Sequence, residues 1–223
     1  MTAFLRLLFH LLIVRPVVHG LLGLDVRHRE HLPETGPAIL VANHDSHLDA
    51  LVLMSMYPLG RLARLAPVAA GAYFGRTRLA AFLSTRLLRT VLLRRGARRR
   101  GPDVLAGCDA ALARGEVVIL FPEGTRGEPG RAAPFRSGVA HLARRRPDVP
   151  VVPVFLAGPG RAMPRGATLI VPFPCTAVVG RPLRWTGDRA TFMQALEDAM
   201  DALAREAGTS WRCAQRTGRL VAR

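Results

Sequence analysis

The 223-residue chain has no lysine: all 32 of its basic residues are arginine, against 16 acidic residues, for a formal charge of +16. So few carboxylates on so basic a surface imply acidic partners, whether anionic lipid headgroups, an acidic carrier protein or nucleic acid. Cysteine is also scarce. Cys108, Cys175 and Cys213 are scattered without metal-ligand spacing, which excludes a disulfide framework and points to a reducing, cytosolic compartment. Aromatics are few, with two Trp and two Tyr. That is poor material for the stacking surfaces of nucleic-acid modules, so nucleic acid drops out as a partner. The runs Arg98-Arg99-Arg100 and Arg144-Arg145-Arg146 read as solvated or phosphate-facing. Finally, no uncharged apolar run approaches the ~20 residues that a membrane span requires. Arg6, His10, Arg15 and His19 interrupt the apolar stretch from Ala3 to Leu24.

What that stretch does contain is amphipathic. Arg6 and His10 share one helical face, Arg15 and His19 another, and Pro16 between them favours a break. Residues 1–24 therefore read as a pair of short amphipathic helices that bind at a membrane interface. No small-residue pattern of the kind that follows a cleaved signal peptide comes after them. The abundance of Arg, Ala, Gly and Pro is what a GC-rich bacterial coding sequence would produce.

The remaining chain is long enough for one substantial core. Apolar runs predict strands over 24–28, 38–42, 66–70, 90–94, 116–121, 151–156, 168–172 and 175–180. Helical patterns fall over 47–57, 77–88, 102–114, 138–146 and 189–207. Such alternation predicts an α/β fold with a central mixed, largely parallel sheet flanked by helices. A main domain over 25–207 and a basic C-terminal tail over 208–223 complete the expected organisation.

Two stretches carry chemistry. Ala38-Ile39-Leu40-Val41-Ala42 runs into Asn43-His44-Asp45-Ser46-His47-Leu48-Asp49, so a histidine emerges where a buried strand ends. Residues five apart on one helix are separated by about 140° and do not face each other. His44 and Asp49 can meet only if the histidine sits in the turn and the carboxylate in the first helical turn. Asp45 or Ser46 can cap that helix. A histidine backed by a carboxylate is the oriented general base of hydroxyl-activating enzymes. His47 is the rival base, but the helical pattern begins at it and leaves it no carboxylate at suitable spacing. His44 and His47 lack the further ligands a metal site needs. The second stretch, Val117-Val118-Ile119-Leu120, leads into Phe121-Pro122-Glu123-Gly124-Thr125-Arg126. This is a tight turn at a strand end, where α/β proteins bind ligands, and its arginine has the fork geometry that suits phosphate.

Together these stretches resemble the glycerolipid acyltransferases, whose best-known members are the 1-acylglycerol-3-phosphate acyltransferases. The family's Asn-His-x-x-x-x-Asp block is matched by Asn43, His44 and Asp49, and its Phe-Pro-Glu-Gly-Thr-Arg block by Phe121 to Arg126 without a gap. Val91-Leu92-Leu93-Arg94-Arg95 resembles the second block and Val149-Pro150-Val151-Val152-Pro153-Val154 the fourth. The resemblance covers roughly residues 20 to 185. Ala69 to Gly75 lacks the lysine often seen there in lysophosphatidate-type members.

The resemblance implies transfer of a fatty acyl group from acyl-CoA or an acidic acyl carrier protein to the hydroxyl of a lysophospholipid, 1-acylglycerol-3-phosphate, giving phosphatidate. The alternative is the same chemistry on glycerol-3-phosphate, an ornithine-type lyso-lipid or a glycolipid. His44 and Asp49 would be catalytic. Arg126 with Arg95 or Arg94, Arg95 being favoured, would clamp the acceptor phosphate in a pocket shaped by Glu123, Gly124 and Thr125. No cofactor or metal is implied, and the expected place is the cytoplasmic face of an anionic membrane, bound peripherally or monotopically. A lysine at position 126 keeps the charge but loses the bidentate fork. Arg126→Lys should therefore raise the KM for lysophosphatidate while leaving thioester binding little changed. Steady-state kinetics with a monoacylglycerol control check this; equal use of both acceptors by the parent enzyme would remove the clamp.

Overall fold

In this computed structural model the described residues are 2–70, 88–93, 103–124, 134–164, 167 and 169–209. Seven strands, β1 (Asp25–Arg27), β2 (Ala38–Ala42), β3 (Leu65–Ala70), β4 (Val91–Leu93), β5 (Val117–Leu120), β6 (Val151–Ala157) and β7 (Thr176–Val179), form one sheet in the order β1-β7-β6-β2-β5-β3-β4. β4, β3, β5, β2 and β6 are parallel, β7 is antiparallel to β6, and β1 is parallel to β7. The mixed, largely parallel sheet is thus as expected.

The helices are α1 (Thr2–Phe9), α2 (Asp49–Ser55), α3 (Ala106–Ala113), α4 (Gly138–Arg145), the short α5 (Pro159–Ala162) and α6 (Arg189–Glu206). They cover both faces. Along β2, Ile39 and Val41 face the core beneath α3, α4 and α6, which includes Leu112, Leu142, Phe192 and Leu196. Ala38, Leu40 and Ala42 face the core beneath the N-terminal helix and α2, which includes Val18, Leu22, Val52 and Leu53. Buried on both faces, β2 reads in sequence as an unbroken apolar run. It lies in register between β5 and β6, with Leu40 opposite both Ile119 and Val152. Residues leaving its carboxyl end therefore enter the crevice where open α/β sheets bind ligands.

Three expectations need correction. The strand over 168–172 does not form in its described residues. Pro172 and Pro174 can donate no ladder bonds, and Val171 donates its N–H to Ala162 O, 2.8 Å away. The helix expected from residue 47 begins at Asp49. Most of the helix over 77–88, and the tail from residue 210, lie outside the described residues.

The third correction concerns the N-terminus. Instead of a pair broken at Pro16, residues 2–21 form one helical run that widens from α1 into π-type turns over His10–Val14 and Pro16–Leu21. Arg15 donates to His10 O and Leu22 to Val17 O, five residues back. The wide turn accommodates a proline that lacks an N–H. Arg6, His10, Val14, Val18 and Leu22 are buried at intervals of four, a spacing between the α and π periods that keeps them on one face. Arg6, His10 and Arg15 thus reach inward, while His19 is exposed. Arg6 donates to Leu62 O at 3.4 Å, His10 Nδ1 to Arg6 O at 3.0 Å, and Arg15 to Tyr57 O at 3.2 Å. Burial pushes the His10 imidazole below its ordinary value. Apart from His19, the outward face is apolar, with Phe4 66% and Leu12 61% exposed.

Gly158, where β6 gives way to α5, has a φ of +105°. A Cβ there would collide with Pro174 O and lie 2.9 Å from Cys175 Cα. Gly36 has a φ of +77° but open space around it. Gly36→Ala should therefore cost only backbone strain, about 1 kcal/mol, and Gly158→Ala clearly more, up to about 3 kcal/mol. Denaturant midpoints of the two variants provide the comparison.

Candidate active site

The turn after β2 is tied down at each residue. Asn43, the only asparagine in the chain, forms a two-way bridge to β6: its Oδ1 accepts from Leu156 N–H at 2.8 Å and its Nδ2 donates to Leu156 O at 2.9 Å. His44 follows. Its backbone N–H donates to Glu123 Oε1 at 3.1 Å, and its Nδ1 lies 2.9 Å from Asp49 Oδ2. The same Asp49 oxygen accepts the N–H groups of Asp45 and Ser46, each at 2.8 Å. The Asp49 side chain is 1% exposed and that of His44 23%. With Nδ1 donating to the carboxylate, Nε2 carries the lone pair. The ring stacks on Phe121, with centroids 4.2 Å apart and planes 22° apart. His44 and Asp49 therefore meet as expected, in the turn and the first helical turn. Neither expected cap serves: Leu48 precedes α2 without a side-chain cap, and Ser46 Oγ instead accepts from Leu48 N–H at 3.2 Å and donates to Met163 O at 2.9 Å. His47 is exposed and precedes α2.

Glu123 lies in the turn after β5, where it is expected to shape a pocket. It is 3% exposed, and its carboxylate is turned toward the His44 backbone. It thereby locks the β5 turn to the β2 turn. Gly124 adopts a φ of +71°, which favours glycine, and a Cβ there would stand 2.5 Å from Arg136 Nε and displace that side chain. Thr125, Arg126, Arg94 and Arg95 lie outside the described residues.

Arg136 was not among the expected site residues. Its N–H donates to Pro122 O at 2.9 Å and its Nε to Glu123 O at 3.3 Å, so a guanidinium is fixed against the same turn. The signal was the Phe135-Arg136 pair just beyond the Phe-Pro-Glu-Gly-Thr-Arg stretch. Cys108 and Cys175 are buried, which pushes their thiols up to about 12 and about 11; neither is placed as a nucleophile. Among the described residues, no group of three or more His, Cys, Asp or Glu side chains could hold a metal ion.

Residues 23–157 match the model of the Acyltransferase family. The chloroplastic 1-acyl-sn-glycerol-3-phosphate acyltransferase BAT2 of Brassica napus is 32% identical over 144 residues, 64% of this chain and 40% of that protein. The 1-acyl-sn-glycerol-3-phosphate acyltransferase alpha of Mus musculus is 30% identical over 158 residues, 69% of this chain and 51% of that protein. The chain thus spans about two fifths to half the length of these curated relatives. The crystal structure of the 1-acyl-sn-glycerophosphate acyltransferase PlsC from Thermotoga maritima superposes with a TM-score of 0.72 at 22% identity, over 94% of this chain and 81% of that one. It shares the fold.

Asp45 is raised to about 6, first by burial and then by the charge of Asp49, against the hydrogen bond from Asn43 and the pull of His44. The folded state thus holds a proton that the unfolded chain, with its ordinary value near 3.8, releases. Asp45's contribution to stability is fully present below that ordinary value and is lost as pH rises through about 6. Asp45→Asn should therefore gain stability relative to the parent between pH 4 and pH 7. Denaturant titrations at both pH values test it, and a pH-independent difference would contradict the raised carboxyl.

Proposed function

The chain belongs to the Acyltransferase family, and from that premise we propose that it transfers a fatty acyl group from a thioester to the free hydroxyl of 1-acylglycerol-3-phosphate, giving phosphatidate. The observation that carries the reading is the His44–Asp49 pair, bonded at 2.9 Å with the imidazole at the mouth of the strand-end crevice. The acceptor hydroxyl attacks the thioester carbonyl as His44 Nε2 takes its proton. The new C–O bond forms, the C–S bond breaks, and the departing thiolate recovers the proton from His44. Asp49 holds the tautomer and stabilises the imidazolium. No enzyme nucleophile is needed, because the acceptor itself attacks.

General-base assistance of this kind is worth about 10²–10⁴-fold. Positioning supplies the remainder. We assign it to Arg126 with Arg95 or Arg94, as a clamp on the acceptor phosphate, with Gly124 and Thr125 shaping the turn. Acyl-CoA and acyl carrier protein both fit the donor role on a surface of formal charge +16.

The apolar outer face of the N-terminal helix suits a bilayer. The run Ala3–Leu21 is long and apolar enough to cross one by length and composition. Val14, Val18 and Leu22 nevertheless share a core with β2, contacts that a spanning helix would give up. We therefore place the helix in the interface, its outer side among acyl chains.

His44→Ala should lower thiol release from an acyl thioester with lysophosphatidate by at least about 100-fold, while His47→Ala keeps most of the activity. Thiol-trapping assays compare the two. Similar activity in both variants would transfer the base role away from His44.

A further inference from the structure

The segment Leu169-Ile170-Val171-Pro172-Phe173-Pro174 has no polar side chain. Leu169 is 78% and Val171 57% exposed, while Ile170 and Phe173 pack against the core beneath the N-terminal helix. Single apolar residues on a surface are ordinary, but a contiguous patch marks a binding surface. The segment is also anchored at both ends. Val171 N–H donates to Ala162 O at 2.8 Å, and Cys175 N–H donates to Leu22 O at 3.0 Å. Two of the five residues from 171 to 175 are prolines with no N–H, and two others, Val171 and Cys175, have theirs paired. Little backbone donor capacity is left to resist an apolar medium.

Its neighbours agree with that medium. The bond to Leu22 joins the segment to the end of the N-terminal helix, where Leu21 is 45% exposed. Arg161 lies with its guanidinium carbon 5.3 Å from the centroid of the Phe173 ring, an aromatic–cation pair of the kind found at the headgroup level. Ser46, in the catalytic turn, donates to Met163 O at the start of the same excursion.

We propose that residues 169–174 are a second membrane-contacting element, inserted into the same leaflet as the N-terminal helix, seating the crevice of His44 against the bilayer. This rests on the reading of the helix as interfacial. Two anchors, one along the helix and one beside the catalytic turn, fix the molecule's orientation. An acceptor lipid then reaches His44 without leaving the interface.

The test uses the full chain with Cys213→Ser, since Cys108 and Cys175 are buried. An environment-sensitive fluorophore is attached through Leu169→Cys, Leu12→Cys or Thr186→Cys and mixed with vesicles of phosphatidylethanolamine and phosphatidylglycerol. The proposal expects blue shifts at positions 169 and 12 and none at 186. A shift at 12 without one at 169 overturns the second element and leaves the helix reading standing. No shift at either removes both, and shifts at all three mean adsorption without orientation, which also overturns it. A second arm uses Leu169→Glu with Val171→Glu. Losing the burial of even one such side chain is about a tenfold change in partitioning. The pair should lower activity at least about tenfold on bilayer-borne lysophosphatidate and leave a short-chain, water-soluble acceptor unaffected. Equal loss on both acceptors would assign the segment a merely structural role.

Discussion

Asp49 Oδ2 accepts the imidazole of His44 and the amides of Asp45 and Ser46, and the rest of the site depends on that convergence. A buried carboxylate is costly unless donors surround it. Here the donors come from the catalytic turn itself, so the charge can be buried only if the turn is folded and the histidine is in place. Hydrogen bonds to a charged group are each stronger than neutral ones, and their donors would be orphaned together if it were lost. The carboxylate therefore acts on structure and on chemistry through the same atom. It closes the turn and holds the tautomer of the base.

Around this point the sheet provides rigid supports. Asn43 fastens the turn to β6, Glu123 fastens it to the end of β5, and Phe121 covers one face of the imidazole. Asn43 leaves the carboxyl end of β2, and Phe121 and Glu123 leave that of β5, which is parallel to β2 and in register with it. The precision of the site is thus inherited from strand pairing rather than from the loops. Glu123 shows how a residue of the turn after β5 supports the turn that carries His44.

Much of this was legible in the sequence because its causes are local. A five-residue apolar run, a turn and a His-to-Asp spacing incompatible with one continuous helix leave a single way for the pair to meet. Strand positions were legible for the same reason: β2, β5 and β6 are buried on both faces and read as apolar runs. What was not legible depended on tertiary partners. The direction of the Glu123 carboxylate depends on a residue 79 positions away. The segment over 168–172 has strand-like residues, but β7 is already paired on both sides, by β1 and β6, and two prolines cap its donor supply. At the N-terminus, the sequence puts Arg6 and His10 on one face of an amphipathic helix but does not say what that face meets. Which side of an amphipathic helix faces the domain is decided by what the domain offers, and here it offers the carbonyl of Leu62.

That last point also explains how a chain with only arginine as its basic residue uses it. The guanidinium fork donates in several directions, and an ammonium is a more strongly hydrated point charge. Arg29 donates to Met56 O at 2.7 Å and Arg15 to Tyr57 O at 3.2 Å, both at the carboxyl end of α2, and Arg27 to Glu206 O at 3.0 Å, in the last residue of α6. Such carbonyls have no intrahelical partner, and the helix dipole favours a cation there. Glu116, its side chain 7% exposed, is held by Arg89 and by a two-pronged Arg114. Arg29 and Arg15 support the far end of α2, and Arg89 and Arg114 hold Glu116 just before β5; the near ends of α2 and β5 build the crevice. α2 shows the consequence: its first residue is the carboxylate of the base, its last carbonyls are closed by Arg29 and Arg15, and Arg15 belongs to the helix whose outer face is apolar. The N-terminal helix and the Asp49 carboxylate are thereby connected through a single seven-residue helix. Under the proposed docking of that helix on a bilayer, the same contacts tie the membrane side to the frame that holds His44.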